Sequence, residues 1–131
     1  MKKIIFMLLF AATAIFALDL ETAKSYSEAV ISAKKENKTI LLILTQPGCP
    51  ACKFMKETTL KNGSVKDALS TFIVVDADIY EDNWNKKFRA FGTPTMYLID
   101  KNENKIGRPI IGAMDPDEFI KTIKQIQGKT K

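Results

Sequence analysis

Apolar residues recur along this chain in two rhythms that alternate from one segment to the next. Over residues 19–35 they fall at Ala23, Tyr26, Ala29, Val30 and Ala33, the spacing of one helix face, and Asn37 would end that helix. Thr39–Thr45 is instead an unbroken apolar run, the pattern of a central strand covered on both sides. Residues 50–60 return to helix, with Pro50 suited to a first turn because the N–H it lacks would have had no partner there. Asn62 and Gly63 break the pattern, and Ser64 is placed to cap a short helix ending near Leu69.

Residues 72–75 read as a second buried strand closing on Asp76, Ala77 and Asp78. The spacing of Trp84, Phe88 and Phe91 predicts a helix over 81–91 stopped by Gly92. Residues 95–99 and 106–111 form a predicted hairpin around a polar turn containing Asn102 and Asn104. Asp115 and Pro116 open a final helix whose inner face carries Phe119, Ile120 and Ile123. A strand–helix–strand crossover followed by a helix and an antiparallel hairpin implies an α/β fold, with a mixed sheet flanked by helices.

Residues 1–17 stand apart. Lys2 and Lys3 precede an apolar stretch from Ile4 to Phe16, small residues follow at Ala12, Ala14 and Ala17, and no acid comes before Asp19. That is the composition of a secretory signal peptide, and the apolar stretch is shorter than the ~20 residues a spanning helix needs. The expectation is a cleaved segment 1–17, a single domain over 18–131 and export to the periplasm; a membrane association would follow only if the segment were retained. The whole chain has 131 residues and a formal charge of +5; without Lys2 and Lys3 it carries 18 basic against 15 acidic side chains. These charges are mixed, with no basic stripe interleaved with aromatics, so a nucleic-acid partner is not expected.

Chemistry concentrates at Cys49-Pro50-Ala51-Cys52, the chain's two cysteines, set where the first strand gives way to a helix. Structural zinc calls for four Cys or His ligands, and the chain has two Cys and no His. A permanent disulfide stabilises mainly by closing a long loop, and this one would enclose Pro50 and Ala51 alone. Two thiolates could hold Cu(I), although no His or adjacent Met supports them. Gly48 and Pro50 mark a turn, which argues against inert buried cysteines. Reversible thiol–disulfide exchange fits the spacing, with copper carriage or a non-catalytic adaptor as the alternative.

Taken with Gly92-Thr93-Pro94-Thr95, the hairpin around Asp100 to Lys105 and Gly112 before the last helix, the pair resembles the thioredoxin superfamily across nearly all of residues 18–131. Cys49-Pro-Ala-Cys-Lys-Phe-Met-Lys-Glu57 and Gly112-Ala-Met-Asp115 look most like the thioredoxin-like C-terminal domain of the bacterial thiol:disulfide interchange protein and its small exported single-domain relatives. The resemblance implies a thioredoxin fold with about four to five strands and a protein-disulfide oxidoreductase without cofactor or metal. It further implies a monomer that acts on exported proteins bearing disulfides or cysteines and exchanges electrons with a membrane donor or another thiol–disulfide partner.

Cys49, at a helix start, would be the attacking thiolate, stabilised by unpaired N–H groups and the helix dipole. Cys52, one turn further in, would resolve the mixed disulfide. Pro50 and Ala51 would tune the thiolates. Thr93 and Pro94 are assigned to substrate binding, because family members place a cis-proline beside the cysteines there, and an extended segment could then bond the Thr93 backbone. Two departures matter. Thioredoxins commonly carry a buried acid six residues before the first cysteine, where this chain has Ile43, and the residue before that cysteine, often Trp, is Gly48. Asp76 and Asp78 are candidate proton acceptors in place of the acid, with turn capping the competing role; Glu57 is a more distant candidate on the helix.

Overall fold

Thr39–Thr45 is the strand around which the molecule is arranged, and its residues 40–44 are completely buried. The computed structural model describes residues 19–129. In chain order the elements are β1 (Thr22–Ala23), α1 (Tyr26–Glu36), β2 (Thr39–Thr45), α2 (Pro50–Phe54) continuing into a π-helical turn (Met55–Thr59), α3 (Gly63–Ala68), β3 (Phe72–Asp78), β4 (Thr95–Ile99), β5 (Lys105–Ile111) and α4 (Pro116–Gly128). Segment 1–17, the expected signal peptide, lies outside the described residues.

The five strands form one mixed sheet in the order β1-β3-β2-β4-β5. β3 runs parallel to both β1 and β2, whereas β4 is antiparallel to β2 and to β5. Because strand side chains alternate faces, the apolar run of β2 supplies two cores at once. Leu41 and Ile43 join Val74, Met96 and Leu98 under Met55, Val65 and Phe119 from the helices on one side. Ile40, Leu42 and Leu44 join Ile73, Val75 and Tyr97 under Tyr26, Ala29 and Ala33 of α1 on the other. The continuous hydrophobicity of β2 therefore reflects helices on both faces.

Local capping fixes the helix bounds. Ser25 is extended and its side chain accepts from the Glu28 N–H, so α1 begins at Tyr26 and not at Asp19. The preceding residues pair as β1 with Val74 and Val75, and an ion pair between Lys38 and Glu21 fastens that edge; the contact with Lys38 holds the Glu21 carboxyl below its usual range. Asn37 ends α1 in the left-handed conformation at φ 54°, its N–H bonded to the Ala33 carbonyl. Asn62, in place of Ser64, caps α3 by accepting from the Ser64 and Val65 N–H groups. Asp115 caps α4 with Pro116 in the first turn.

The helix expected over 81–91 does not form; the segment is a series of turns and bends. Side chains take its backbone N–H groups instead, Asn85 accepting from Lys87, Tyr97 from Arg89 and Thr95 from Phe91, which competes with helical bonding. Phe88 is still buried, against Tyr26 and Tyr97. Phe91 is not a core residue but 54% exposed, and Trp84 is half-buried beside the α1 face.

A disulfide at the mouth of a basic cleft

β2 ends at Thr45, and Gln46, Pro47 and Gly48 carry the chain from sheet to helix. Gly48 sits at φ 70°, the left-handed region a glycine enters without strain. Cys49 is the N-cap of α2: its backbone is extended and its Sγ accepts from the Cys52 N–H at 3.1 Å. That sulfur thus occupies the place where a helix offers free donors. Cys52, one turn inward, is 2% exposed, and the two cysteines are joined as a disulfide with their Cα atoms 5.2 Å apart. Pro50 and Ala51 form the first turn between them.

Across from Cys49 lies the start of β4. The Thr93–Pro94 peptide bond is cis and Pro94 is buried. The Thr93 hydroxyl donates to Cys49 Sγ at 3.3 Å, and the Thr93 carbonyl oxygen stands 3.5 Å from the same sulfur. Two sets of hydrogen bonds hold this segment in place. The Gly112 N–H donates to the Pro94 carbonyl at 2.9 Å, and the buried Thr95 hydroxyl donates to the Gly92 carbonyl while accepting from the Phe91 N–H. Phe91 and Ile111, each 54% exposed, leave apolar surface on this side of the disulfide. Thr95 could have been noticed as a hydroxyl opening a buried strand, but its partners are fixed by the loop path.

On the other side, Cys49 and Cys52 border a cleft of about 400 Å³ lined by Gln46, Pro47, Lys53, Lys56, Glu57 and Lys61. Ile43, in the position where an acid was sought, is completely buried among apolar neighbours. Its register partner on β3 is Asp76, which shares its sheet face because both alternate in step with Leu41 and Val74. Asp76 Oδ1 accepts from the buried Thr45 hydroxyl at 2.8 Å, and Oδ2 pairs with Lys56 Nζ at 2.7 Å. Asp78 Oδ1 instead takes the Tyr80 N–H at 2.9 Å, a turn-capping contact. Neither carboxylate hydrogen-bonds a cysteine, and Glu57 is exposed. Lys56 was not singled out from sequence; its position one turn beyond Cys52 was visible, its carboxylate partner was not.

Among the described residues no group of three or more His, Cys, Asp or Glu side chains is arranged to hold a metal ion. No helix among them is long and apolar enough to cross a membrane. A larger cleft of about 690 Å³ lies between α1 and the 79–91 segment, and neither cysteine lines it.

A family model for the thioredoxin-like domain matches residues 26–127, spanning β2–β5, the cysteine pair and the cis-proline segment. This chain belongs to the thioredoxin-like family. Over 107 residues the thioredoxin-like domain is 27% identical to a thiol:disulfide interchange protein DsbD of Yersinia pestis, a match covering 77% of this chain and 18% of that relative. The chain thus corresponds to less than a fifth of the relative's length. Among solved structures, a thioredoxin from Thermus thermophilus superposes with a TM-score of 0.72 at 23% identity, covering 85% of this chain and 89% of the other. The oxidised DsbD C-terminal domain of Neisseria meningitidis gives 0.61 at 21% identity, covering 76% and 90%. These likenesses establish a thioredoxin fold with its mixed five-stranded sheet.

Proposed function

We propose that this chain is a thiol–disulfide oxidoreductase of exported proteins, reducing or exchanging disulfides through Cys49 and Cys52. The observation that carries this reading is the placement of Cys49 Sγ: capping a helix, bonded to a buried Cys52, and facing the Thr93–Pro94 edge at the molecular surface. In the reduced protein the Cys52 N–H and the Thr93 hydroxyl stabilise a Cys49 thiolate. That thiolate attacks a partner disulfide, one partner sulfur leaves, and a mixed disulfide forms on Cys49. Cys52 then attacks Cys49 and restores the internal disulfide while the second partner sulfur departs.

Pro50 and Ala51 set the spacing and the N–H pattern of this first turn and so tune the pair. Thr93 and Pro94 bind substrate. Pro94 offers no N–H, and its carbonyl is already taken by Gly112, so the groups left for an extended partner strand are those of Thr93. The similarity to interchange proteins supports the same class of chemistry, and the composition of residues 1–17 supports export to the periplasm after cleavage of that segment. There the monomer draws electrons from a membrane donor or another thiol–disulfide partner.

Insulin reduction driven by dithiothreitol tests this. The wild type should accelerate precipitation, and Cys49→Ser should return it to the rate of dithiothreitol alone. A wild type no faster than Cys49→Ser, coupled with tight Cu(I) binding by the reduced protein, would replace the enzyme with a copper carrier.

A further inference from the structure

The cleft of about 400 Å³ that begins at Cys49 and Cys52 takes all of its charged lining from the helical segment, as Lys53, Lys56, Glu57 and Lys61. In an α-helix the neighbours on one flank are three or four residues apart, which would group Lys53, Lys56 and Glu57 and leave Lys61 out of line with Lys56. The π-helical turn removes that misfit. Its Leu60 N–H bonds the Met55 carbonyl at 2.9 Å, five residues back, so Lys61 falls on the same flank as Lys56.

Lys56 already has a carboxylate, with Asp76 Oδ2 at 2.7 Å. Lys53 and Lys61 are exposed, and among the described residues neither has a carboxylate within ion-pairing distance. Glu57 offsets one of the two, and the cleft keeps a net positive charge. On the other side of the disulfide Phe91 and Ile111 are apolar, and the Arg89 guanidinium stands 5.9 Å from the Phe91 ring centre.

We propose that the segment presented to Cys49 carries acidic side chains beside its own cysteine, which seat on Lys53 and Lys61 while its backbone bonds Thr93. This rests on the oxidoreductase reading given above and names the class of partner; the exchange steps are unchanged. A partner Asp or Glu supplies the carboxylate that the fold withholds from these two ammoniums, inside a concavity where screening is weaker than on open surface. A basic segment would set like charges together and is rejected. Such steering raises the rate of encounter more than the lifetime of the complex, which suits a partner that must depart after exchange.

Three disulfide-bridged peptides, identical except for Glu, Gln or Lys on either side of one cysteine, test the proposal by their rates of oxidising the dithiol protein. Each rate is divided by that of the same peptide with dithiothreitol, whose attacking thiolate has the charge of the Cys49 thiolate. At 0.01 M salt, where charges act over about 30 Å, the Glu peptide should react about tenfold faster than the Gln peptide, and the Lys peptide slower than either. At 1 M salt, where they act over about 3 Å, the three should converge. Lys53→Glu with Lys61→Glu should reverse the order, and rates taken relative to the Gln peptide remove any change these substitutions make to the Cys49 thiolate. Lys34→Glu with Lys35→Glu, at the end of α1 on the other face of the sheet, changes the net charge equally and should keep the wild-type order.

Equal rates for the Glu and Gln peptides at low salt would overturn the proposal and leave the lysines as a solvated helix face. A preference that survives 1 M salt, or one reversed equally by both double variants, would overturn it too, the latter by assigning the effect to net charge. A dithiol protein that none of the three peptides oxidises would instead sink the oxidoreductase reading itself.

Discussion

At the scale of single residues, the reactivity of Cys49 is a matter of which donors meet its sulfur. The Cys52 N–H reaches it at 3.1 Å and the Thr93 hydroxyl at 3.3 Å, one from the helix and one from the strand opposite. Both are oriented whether or not the thiol is charged, so they favour the thiolate over the neutral form. Thr93→Val keeps the β-branched shape and removes the O–H. In a Cys52→Ser background it should raise the Cys49 thiol pKa by about one unit, equivalent to ~1.4 kcal/mol, as followed by thiolate ultraviolet absorbance against pH. An unchanged titration would mean that the hydroxyl does not stabilise the anion. The cysteines were readable from sequence because so few residue types do this chemistry, and Pro50 announced the helix start. Lys56 with Asp76 was not readable as a pair, since only the β2–β3 register brings that carboxylate onto the cysteine helix.

Elements were predictable where one signal dominated. The apolar run of β2, the turn before β5 and the Asp115-Pro116 start of α4 each combine a pattern with a capping or turn residue, and each forms as expected. The 81–91 segment fails because two influences conflict: an apolar spacing that reads as helix, and side chains that take its backbone N–H groups, Asn85 from within and Tyr97 and Thr95 from β4. β1 escaped notice because two residues give no period, and its existence depends on β3 lying beside it. On β5, Gly107 has φ 71°, and a Cβ there would come within 2.8 Å of Ile126 Cγ2 on α4. Gly107→Ala combines a strained backbone with crowding of the helix and should destabilise by about 1–3 kcal/mol in urea unfolding. Gly63→Ala, in α3 with no atom within 4 Å of the added carbon, is the control and should be neutral or slightly stabilising. Equal midpoints for the two variants would mean that the β5–α4 contact yields freely.

For the molecule as a whole, the direction of electron flow is tied to stability. Unfolding in the oxidised and reduced states closes a cycle with the redox potentials of the folded and unfolded cysteine pair. A fold that stabilises the dithiol therefore oxidises its partners, and a fold that stabilises the disulfide reduces them. Two local effects oppose each other here. The donors on Cys49 favour a thiolate and hence the reduced protein, whereas burial of Cys52 to 2% exposure denies the reduced state a second thiolate and keeps that sulfur uncharged in either state. The bonded pair leaves the helix cap intact, because Cys49 Sγ still accepts the Cys52 N–H, so the oxidised state sacrifices no backbone bond. Neither hydrophobic cluster includes Cys49 or Cys52, so both redox states can rest on the same core. We expect the retained cap and the cross-link to outweigh the donors on Cys49, so the oxidised protein should be the more resistant to urea. The margin should be about 1.4 kcal/mol for each 30 mV by which the folded pair lies below the unfolded one. Parallel urea titrations of the disulfide form and of protein held reduced by excess dithiothreitol read that margin directly. A reduced form more stable than the oxidised one would make the protein a donor of disulfides in place of a reductant, with Cys49 and Cys52 acting in the reverse order.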